Sequence, residues 1–344
     1  MRSVRTTRLL VLFSAAVLFT RVAAGPGASG TTPEGGAPAS SAVTAGASGH
    51  GRIGVYLTEH AAAKQTVLDG VVQAAARGQI NAVVIDVKDN NGDIAYASAV
   101  PLARQIGAVF PRLDLRTLVP TLRARGLYVI ARQVVFYDPR LAKHLGSSSA
   151  EWVLPSDERA VVYNLEIAQE VAGLGFDEIQ FDYIRFPDGG KLEPVYESRY
   201  AAVNRFLSLA RQRLSGRVLL SADLFGRVTW PWNERRIDPI GQSLEEVGER
   251  VDFISPMLYP SHYHEQVYKD DPYRTVTDAL GAGLKRTTTP LRPFLQAFNM
   301  AIPSGMTLEG YIRAQVKAAR ALGADGYLFW NPSSDYSALW RALE

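Results

Sequence analysis

The stretch Gly175-Phe-Asp-Glu-Ile-Gln-Phe-Asp-Tyr-Ile-Arg-Phe-Pro187 sets Glu178, Gln180 and Asp182 at every second position of a β-branched and aromatic run. A strand sends alternate side chains to opposite faces, so these three polar groups share one face while Ile179, Phe181 and Tyr183 share the other. An unpartnered carboxylate in a core is expensive. A polar stripe of this kind therefore reads as the lining of a wet cavity or a site.

On both sides of this strand, from Arg52 onward, strand-like and helix-like segments alternate as in a parallel α/β sheet. Strands are expected over 53–58, 82–88, 127–135, 176–184, 218–224, 251–258, 291–298 and 325–331. Helical patterns fill about 61–77, 114–125, 160–173, 198–214, 241–250, 273–284, 307–322 and 335–343. Gly126, Gly175 and Gly323 fit helix C-caps that feed strands. Eight such units over residues 51–344 match a (β/α)8 TIM barrel. The alternative, a doubly wound open sheet, lacks support, because Val55-Tyr56-Leu57-Thr58-Glu59 is no Gly-rich phosphate loop.

In such a barrel the chemistry sits at the C-terminal ends of the strands, and this sorts the polar residues. The second strand offers Asp86 and Lys88 on one face, followed by Asp89, and the third offers Arg132. The fourth ends with Asp182 and Arg185, the fifth with Ser221 and Asp223, and the sixth with Met257 and Tyr259, followed by Ser261 and His262. The seventh carries Gln296, and the eighth ends in Trp330-Asn331. Asp177 and Asp252 open their strands and read as structural residues of the opposite face.

Glycoside hydrolysis needs two carboxyl groups about 5–9.5 Å apart. Glu178 and Asp182 lie four residues apart, roughly 13 Å along one strand, so the partner of Asp182 should come from elsewhere. Asp223 on the neighbouring fifth strand is the first choice, and Asp86 is the reserve. Glu178, deeper in the lumen, is expected to hold Arg132 or Lys88 in an ion-pair network beneath the site. Arg185 suits either an anionic substrate group or a loop carboxylate. Tyr259, Tyr263, Trp230, Trp232 and Trp330 offer aromatic faces on which sugar rings stack. His262 and His264 stand two apart in a loop without further ligands, so neither metal nor cofactor is expected.

The chain is 47% hydrophobic and 21% charged, with a formal charge of +3. That balance gives no basic stripe, and nucleic acid is not an expected partner. The absence of cysteine excludes disulfides, thiolate ligands, a cysteine nucleophile and a lipid-modified cysteine. At the N-terminus Arg2, Arg5 and Arg8 precede an apolar run from Leu9 to Phe19, with Val22-Ala23-Ala24 as a small-residue cleavage site. Residues 1–24 thus read as an export signal, and an uncleaved membrane anchor is the alternative. Residues 25–50, rich in Gly, Ala, Ser, Thr and Pro, read as a disordered linker.

Several segments together carry a family resemblance: Gly54-Val-Tyr-Leu-Thr58, Asn81-Ala-Val-Val-Ile-Asp-Val-Lys-Asp89, Ile130-Ala-Arg-Gln-Val-Val-Phe136 with Asp138-Pro139, the 175–187 stretch, Ser221-Ala-Asp-Leu-Phe-Gly226, and Ser255-Pro-Met-Leu-Tyr-Pro-Ser-His-Tyr263. With Leu295-Gln296 and Phe329-Trp330-Asn331, they resemble the bacterial glycoside hydrolase domain catalogued as domain of unknown function 4015. The resemblance spans about residues 52–340 and implies a TIM barrel of glycosidase type. The fourth-strand segment is also similar to the Phe-Asp-Gly-x-Asp-x-Asp-x-Glu signature of family-18 chitinases, with Asp177 and Asp182 at its first and third aspartates. Gln180 stands at the middle aspartate, however, and Ile184 at the catalytic glutamate, so the substrate-assisted mechanism does not carry over. By similarity to amylase-like barrels, Asp182 would hold the nucleophile's place, with Asp223 where those enzymes have a glutamate.

The resulting expectation is an exported glycoside hydrolase acting on an envelope or extracellular polysaccharide. Asp182, Asp223 and Asp86 are its candidate catalytic residues. Lys88, Arg132, Glu178, Arg185, Tyr259, His262, Gln296, Trp330 and Asn331 are its candidate substrate contacts. A non-catalytic carbohydrate-binding barrel is the alternative reading, and a metal-dependent deacetylase resting on Asp182, His262 and His264 is a third.

Overall fold

The structure is a computed structural model that describes residues 48–344. The expected signal or anchor (1–24) and most of the expected linker (25–47) lie outside the described residues. Eight parallel strands close into a barrel in sequence order. They are β1 (Arg52–Leu57), β2 (Ala82–Lys88), β3 (Tyr128–Val134), β4 (Glu178–Asp182), β5 (Leu219–Phe225), β6 (Phe253–Met257), β7 (Phe294–Gln296) and β8 (Gly326–Trp330). A helix follows each strand before the next begins, and the last, Ser337–Ala342, follows β8. The expected (β/α)8 architecture is therefore the one observed. Among the described residues no helix is long and apolar enough to cross a membrane.

The sequence dictates two cores. Strands sandwiched between a lumen and a helical shell are buried on both faces, and Ala82–Lys88 is buried at all seven positions. Outward-facing Val83, Ile85, Val129, Ala131, Ile179 and Phe181 join the helices in one large cluster. Inward-facing Tyr56, Val84, Tyr128, Ile130, Phe294 and Leu328 form a second, separate cluster in the lumen. Closure brings β8 onto β1, where Arg52 pairs with Gly326. Gly326 has φ +84°, and a Cβ there would collide with the Arg52 backbone, so both backbone conformation and space require glycine.

At the N-terminal face, four polar side chains repeat one device. Asn81, Asp177 and Asp252, each just before a strand, accept the backbone N–H of Ile53, Val129 and Leu220 in the preceding strand at 2.7, 2.9 and 2.7 Å. Asp325 accepts the N–H of Gly51 at 3.1 Å and lies 2.9 Å from the His50 ring. These side chains satisfy strand-start amides that the sheet leaves open.

Two differences from expectation have clear causes. β7 is three residues long rather than eight, because Pro290 and Pro293 remove donors that a longer ladder needs. Strand β2 carries a bulge, with Asp86 opposite Arg132 but Lys88 opposite Gln133. The extra residue inverts the side-chain phase after Asp86. Lys88 therefore leaves the lumen.

Deep in the lumen Glu178 is fully buried and pairs with Arg292, not with Arg132 or Lys88 as expected. It also accepts from Ser221 Oγ and from Tyr128 OH at 3.0 Å. Breaking a buried ion pair strands the remaining charge. Glu178→Leu is thus expected to cost about 3–5 kcal/mol of unfolding free energy. The double change Glu178→Leu with Arg292→Met should cost less than either single change in urea melts, and a single-variant cost under about 1 kcal/mol would refute the role given to this pair.

Candidate active site

Above that floor, the C-terminal ends of β2, β3, β4 and β5 converge on one guanidinium. Arg132 Nη1 donates to Asp86 Oδ1 at 2.6 Å, while Nε and Nη2 donate to Asp182 Oδ2 at 3.0 and 2.6 Å. Asp223 Oδ2 lies 4.0 Å from Nε. Since Asp182 Oδ2 and Asp223 Oδ2 share that nitrogen as neighbour, they are within about 7 Å of each other. The register explains the convergence, because Gln180 pairs with Ser221 and Phe181 with Ala222, which brings the ends of β4 and β5 to one level.

The four groups differ in how their charges are met. Asp182 accepts both guanidinium bonds and also the Tyr183 backbone N–H at 2.6 Å. That last bond exists because Tyr183 adopts φ 53°, a left-handed conformation rare outside glycine. Asp86 accepts the Tyr56 hydroxyl at 2.5 Å, and burial lifts its pKa to about 6 against the opposing pull of Arg132 and that hydroxyl. Neither carboxyl oxygen of Asp223 has a hydrogen-bond partner among the described residues. Burial, and then the negative charge of Asp182, push its pKa well above the usual carboxylate range. Burial works against the charge on Arg132, but Asp86 and Asp182 more than offset it and keep the guanidinium protonated.

Aromatic rings wall this charge cluster. Trp330 stacks on Tyr56 with centroids 3.8 Å apart, and Arg132 lies 4.9 Å from the Trp330 ring and 5.3 Å from that of Tyr56. Burial first, and then Asp223 and Asp182, raise the pKa of the Tyr259 hydroxyl. His262 packs edge-on against Tyr259 at 5.3 Å, and partial burial lowers its pKa. Trp230 gathers with Tyr263 and Tyr268 at 6.4 and 5.6 Å.

Of the residues singled out from sequence, Asp182, Asp223, Asp86, Arg132, Tyr259 and Trp330 come together. Arg185 and His262 stand beside them. Lys88 does not, since it donates to Val134 O at 2.9 Å and pairs with Asp138 at 2.7 Å outside the lumen. Glu178 belongs to the floor. Gln296 donates to the carbonyls of Phe298 and Met300 and accepts the Ser261 N–H, so it ties two loops together. Asn331 likewise commits both amide protons to the carbonyls of Ala297 and Asp335. Both amides shape the rim and have no free donor for a ligand. Tyr56 joins the site without being among the sequence candidates, and the inward-facing parity it shares with Gly54 on β1 is the sequence signal for it. Among the described residues no group of three or more His, Cys, Asp or Glu side chains is arranged to hold a metal ion.

Residues 54–336 match the family described as "Putative glycosyl hydrolase domain". The chain belongs to this family. By family it is a glycosyl hydrolase domain, and solved structures share its barrel. The PgaB (BpsB) glycoside hydrolase domain from Bordetella bronchiseptica aligns over 85% of this chain and 97% of its own, at 15% identity and a TM-score of 0.61. An endo-β-1,4-mannanase from Thermotoga petrophila aligns over 82% and 68%, at 14% identity and 0.57. A hypothetical protein from Ruminiclostridium thermocellum is 34% identical over 49% of this chain and 96% of its own, with a TM-score of 0.45. No curated protein matches.

The state of Asp223 in this hydrolase domain has a consequence for stability. Its raised pKa means that the native protein keeps a proton that the unfolded chain has lost above about pH 3.9. The group's contribution to stability is therefore full below that pH and is lost as pH rises through the folded value. Asp223→Asn removes the loss. Thermal unfolding from about pH 4 to pH 8 should show the variant more stable than wild type at the alkaline end, by at least about 1 kcal/mol, with the gap closing toward pH 4. A pH-independent gap would contradict it.

Proposed function

We propose that this protein is an exported glycoside hydrolase that cleaves a polysaccharide with Asp182 and Asp223 as its carboxyl pair. The observation that carries the reading is the contrast between two neighbouring carboxyls. Asp182 accepts three hydrogen bonds, as suits an ionised group, which can only accept. Asp223 is buried, has no hydrogen-bond partner among the described residues and favours its protonated form. A buried, unpartnered carboxyl beside one held by three donors suits the division into acid and base roles.

In this mechanism Asp223 gives its proton to the glycosidic oxygen as the bond to the leaving sugar breaks. Asp182 either attacks the anomeric carbon or takes a proton from the attacking water. Arg132 holds Asp182 in place and balances the charge that remains on the pair. Asp86 anchors the far side of Arg132 and fixes the Tyr56 ring against Trp330, which offers an aromatic wall for a pyranose face. Membership of the family and a carboxyl separation within about 7 Å support hydrolysis. Export rests on the composition of residues 1–24.

A reducing-end assay across bacterial and plant polysaccharides tests the reading. Asp182→Asn and Asp223→Asn, each with an intact circular dichroism spectrum, are expected to lower kcat by about 10²–10⁴-fold. The alkaline limb of the pH profile should disappear in Asp223→Asn. Tight binding of one polymer without release of reducing ends would favour a carbohydrate-binding barrel instead.

A further inference from the structure

Three residues past Asp182, the chain places a cation with no ion-pair partner among the described residues. Arg185 is 8% exposed, and its guanidinium sits 4.6, 5.2 and 4.3 Å from the rings of Trp152, Tyr183 and Phe225. Its single side-chain hydrogen bond among the described residues runs from Nη1 to the Phe186 carbonyl at 3.1 Å. The other deeply buried guanidiniums behave differently: Arg132 holds Asp86, Arg292 holds Glu178 and Arg286 holds Glu245. The loop carboxylate best placed to neutralise Arg185 is Asp188, but Arg227 has taken it with bonds of 2.7 and 2.9 Å. Arg185 forms no ion pair with any described residue. Its Nε and Nη2 make no hydrogen bond to any described residue, and neither is sealed from solvent.

Desolvating a charge without a partner is costly, and the cost here is not incidental to packing. Met or Leu would fill a slot among three aromatic rings at lower cost. The Nε–Nη2 edge of a guanidinium is a planar fork that matches a carboxylate with two parallel bonds. The position is as informative as the chemistry. Tyr183 belongs to the turn that caps Asp182, and Phe225 lies two residues past Asp223, so both ring walls are extensions of the strands carrying the carboxyl pair. An anion held there would belong to a sugar unit beside the bond being cleaved.

We infer that Arg185, in its cage of Trp152, Tyr183 and Phe225, is a specificity determinant that takes the carboxylate of a uronic acid unit, making the substrate an acidic polysaccharide. This rests on the proposed hydrolytic function for its meaning, but not for its test, because binding is read separately from cleavage.

The test measures binding of oligouronides of several linkages (galacturonate, mannuronate, guluronate, glucuronate) to the full-length protein by calorimetry. Each is compared with its carboxyl-reduced neutral counterpart and with a sulfated neutral oligomer, and reducing ends are followed in parallel. At least one oligouronide should bind roughly 10- to 100-fold more tightly than its reduced form. In Arg185→Met that preference should collapse toward unity. Arg185→Lys, which keeps the charge but loses the fork, should recover only part of it. If no oligouronide outcompetes its reduced form, if the sulfated oligomer is preferred, or if Arg185→Met keeps the preference while remaining folded, the assignment is overturned. Cleavage of neutral polymers without oligouronide preference would sink this inference and leave the hydrolase standing. Arg185-dependent oligouronide binding without cleavage would do the reverse.

Discussion

One guanidinium against three carboxyls organises the upper barrel. Arg132 lies within 4.0 Å of Asp86, Asp182 and Asp223, all of them buried. A single positive charge cannot neutralise three negative ones in a medium that solvates none of them, so at least one carboxyl must hold a proton. Geometry selects which. Asp86 and Asp182 take the hydrogen-bonding edges of the guanidinium, and Asp223 is left at ion-pair range with no donor. The protonated carboxyl of this cluster is thus a product of charge counting. It is also a cost to the fold, of the kind that active sites commonly impose on stability.

The charge problem is concentrated in this upper level of the barrel. Below it, Glu178 and Arg292 form a second, self-contained pair, with Tyr128 and Ser221 filling the remaining acceptor positions of the carboxylate. Val84, Ile130, Phe294 and Leu328 add an apolar cluster in the lumen, with Ile130 in register with Glu178, and the Gln180 amide donates to Ser255 at 3.1 Å. The floor shapes the barrel and its charges also reach the site, where Arg292 lowers and Glu178 raises the pKa of Asp223, both by less than burial and Asp182 do. The strand-start acids on the N-terminal face lie further from the reaction still, and their role there is to satisfy amides.

Much of this was legible in the sequence because alternation in a strand is a strict rule. The stripe of Glu178, Gln180 and Asp182 gave the lumen face of β4, and the same parity placed Asp86, Arg132 and Asp223 correctly. Parity failed at Lys88, where one inserted residue in β2 turned the side chain out to Asp138. A bulge leaves no mark on composition, so nothing in Val87-Lys88-Asp89 announced it. Arg292 was invisible for another reason. It stands beside Pro293 in a segment whose ladder the prolines interrupt, so its inward direction follows from tertiary pairing with Glu178 and not from a strand pattern. Gln296 and Asn331 were legible as late-strand polar residues, but their amides are committed to loop carbonyls that only the folded chain brings near.

The left-handed turn at Tyr183 links the chemistry to the rim. A residue there at φ 53° costs on the order of 1 kcal/mol or more, and two results offset it. The turn delivers the Tyr183 N–H to Asp182, and it swings the following residues across the mouth of the barrel, so that Arg185 points among Trp152, Tyr183 and Phe225. An ordinary β conformation at 183 would continue the strand and lose both arrangements together. The cap on Asp182 and the placement of Arg185 are therefore products of one strained residue, whose aromatic side chain has packing contacts of its own, to Tyr137 and Trp152, at a position where backbone preference alone would favour glycine or asparagine.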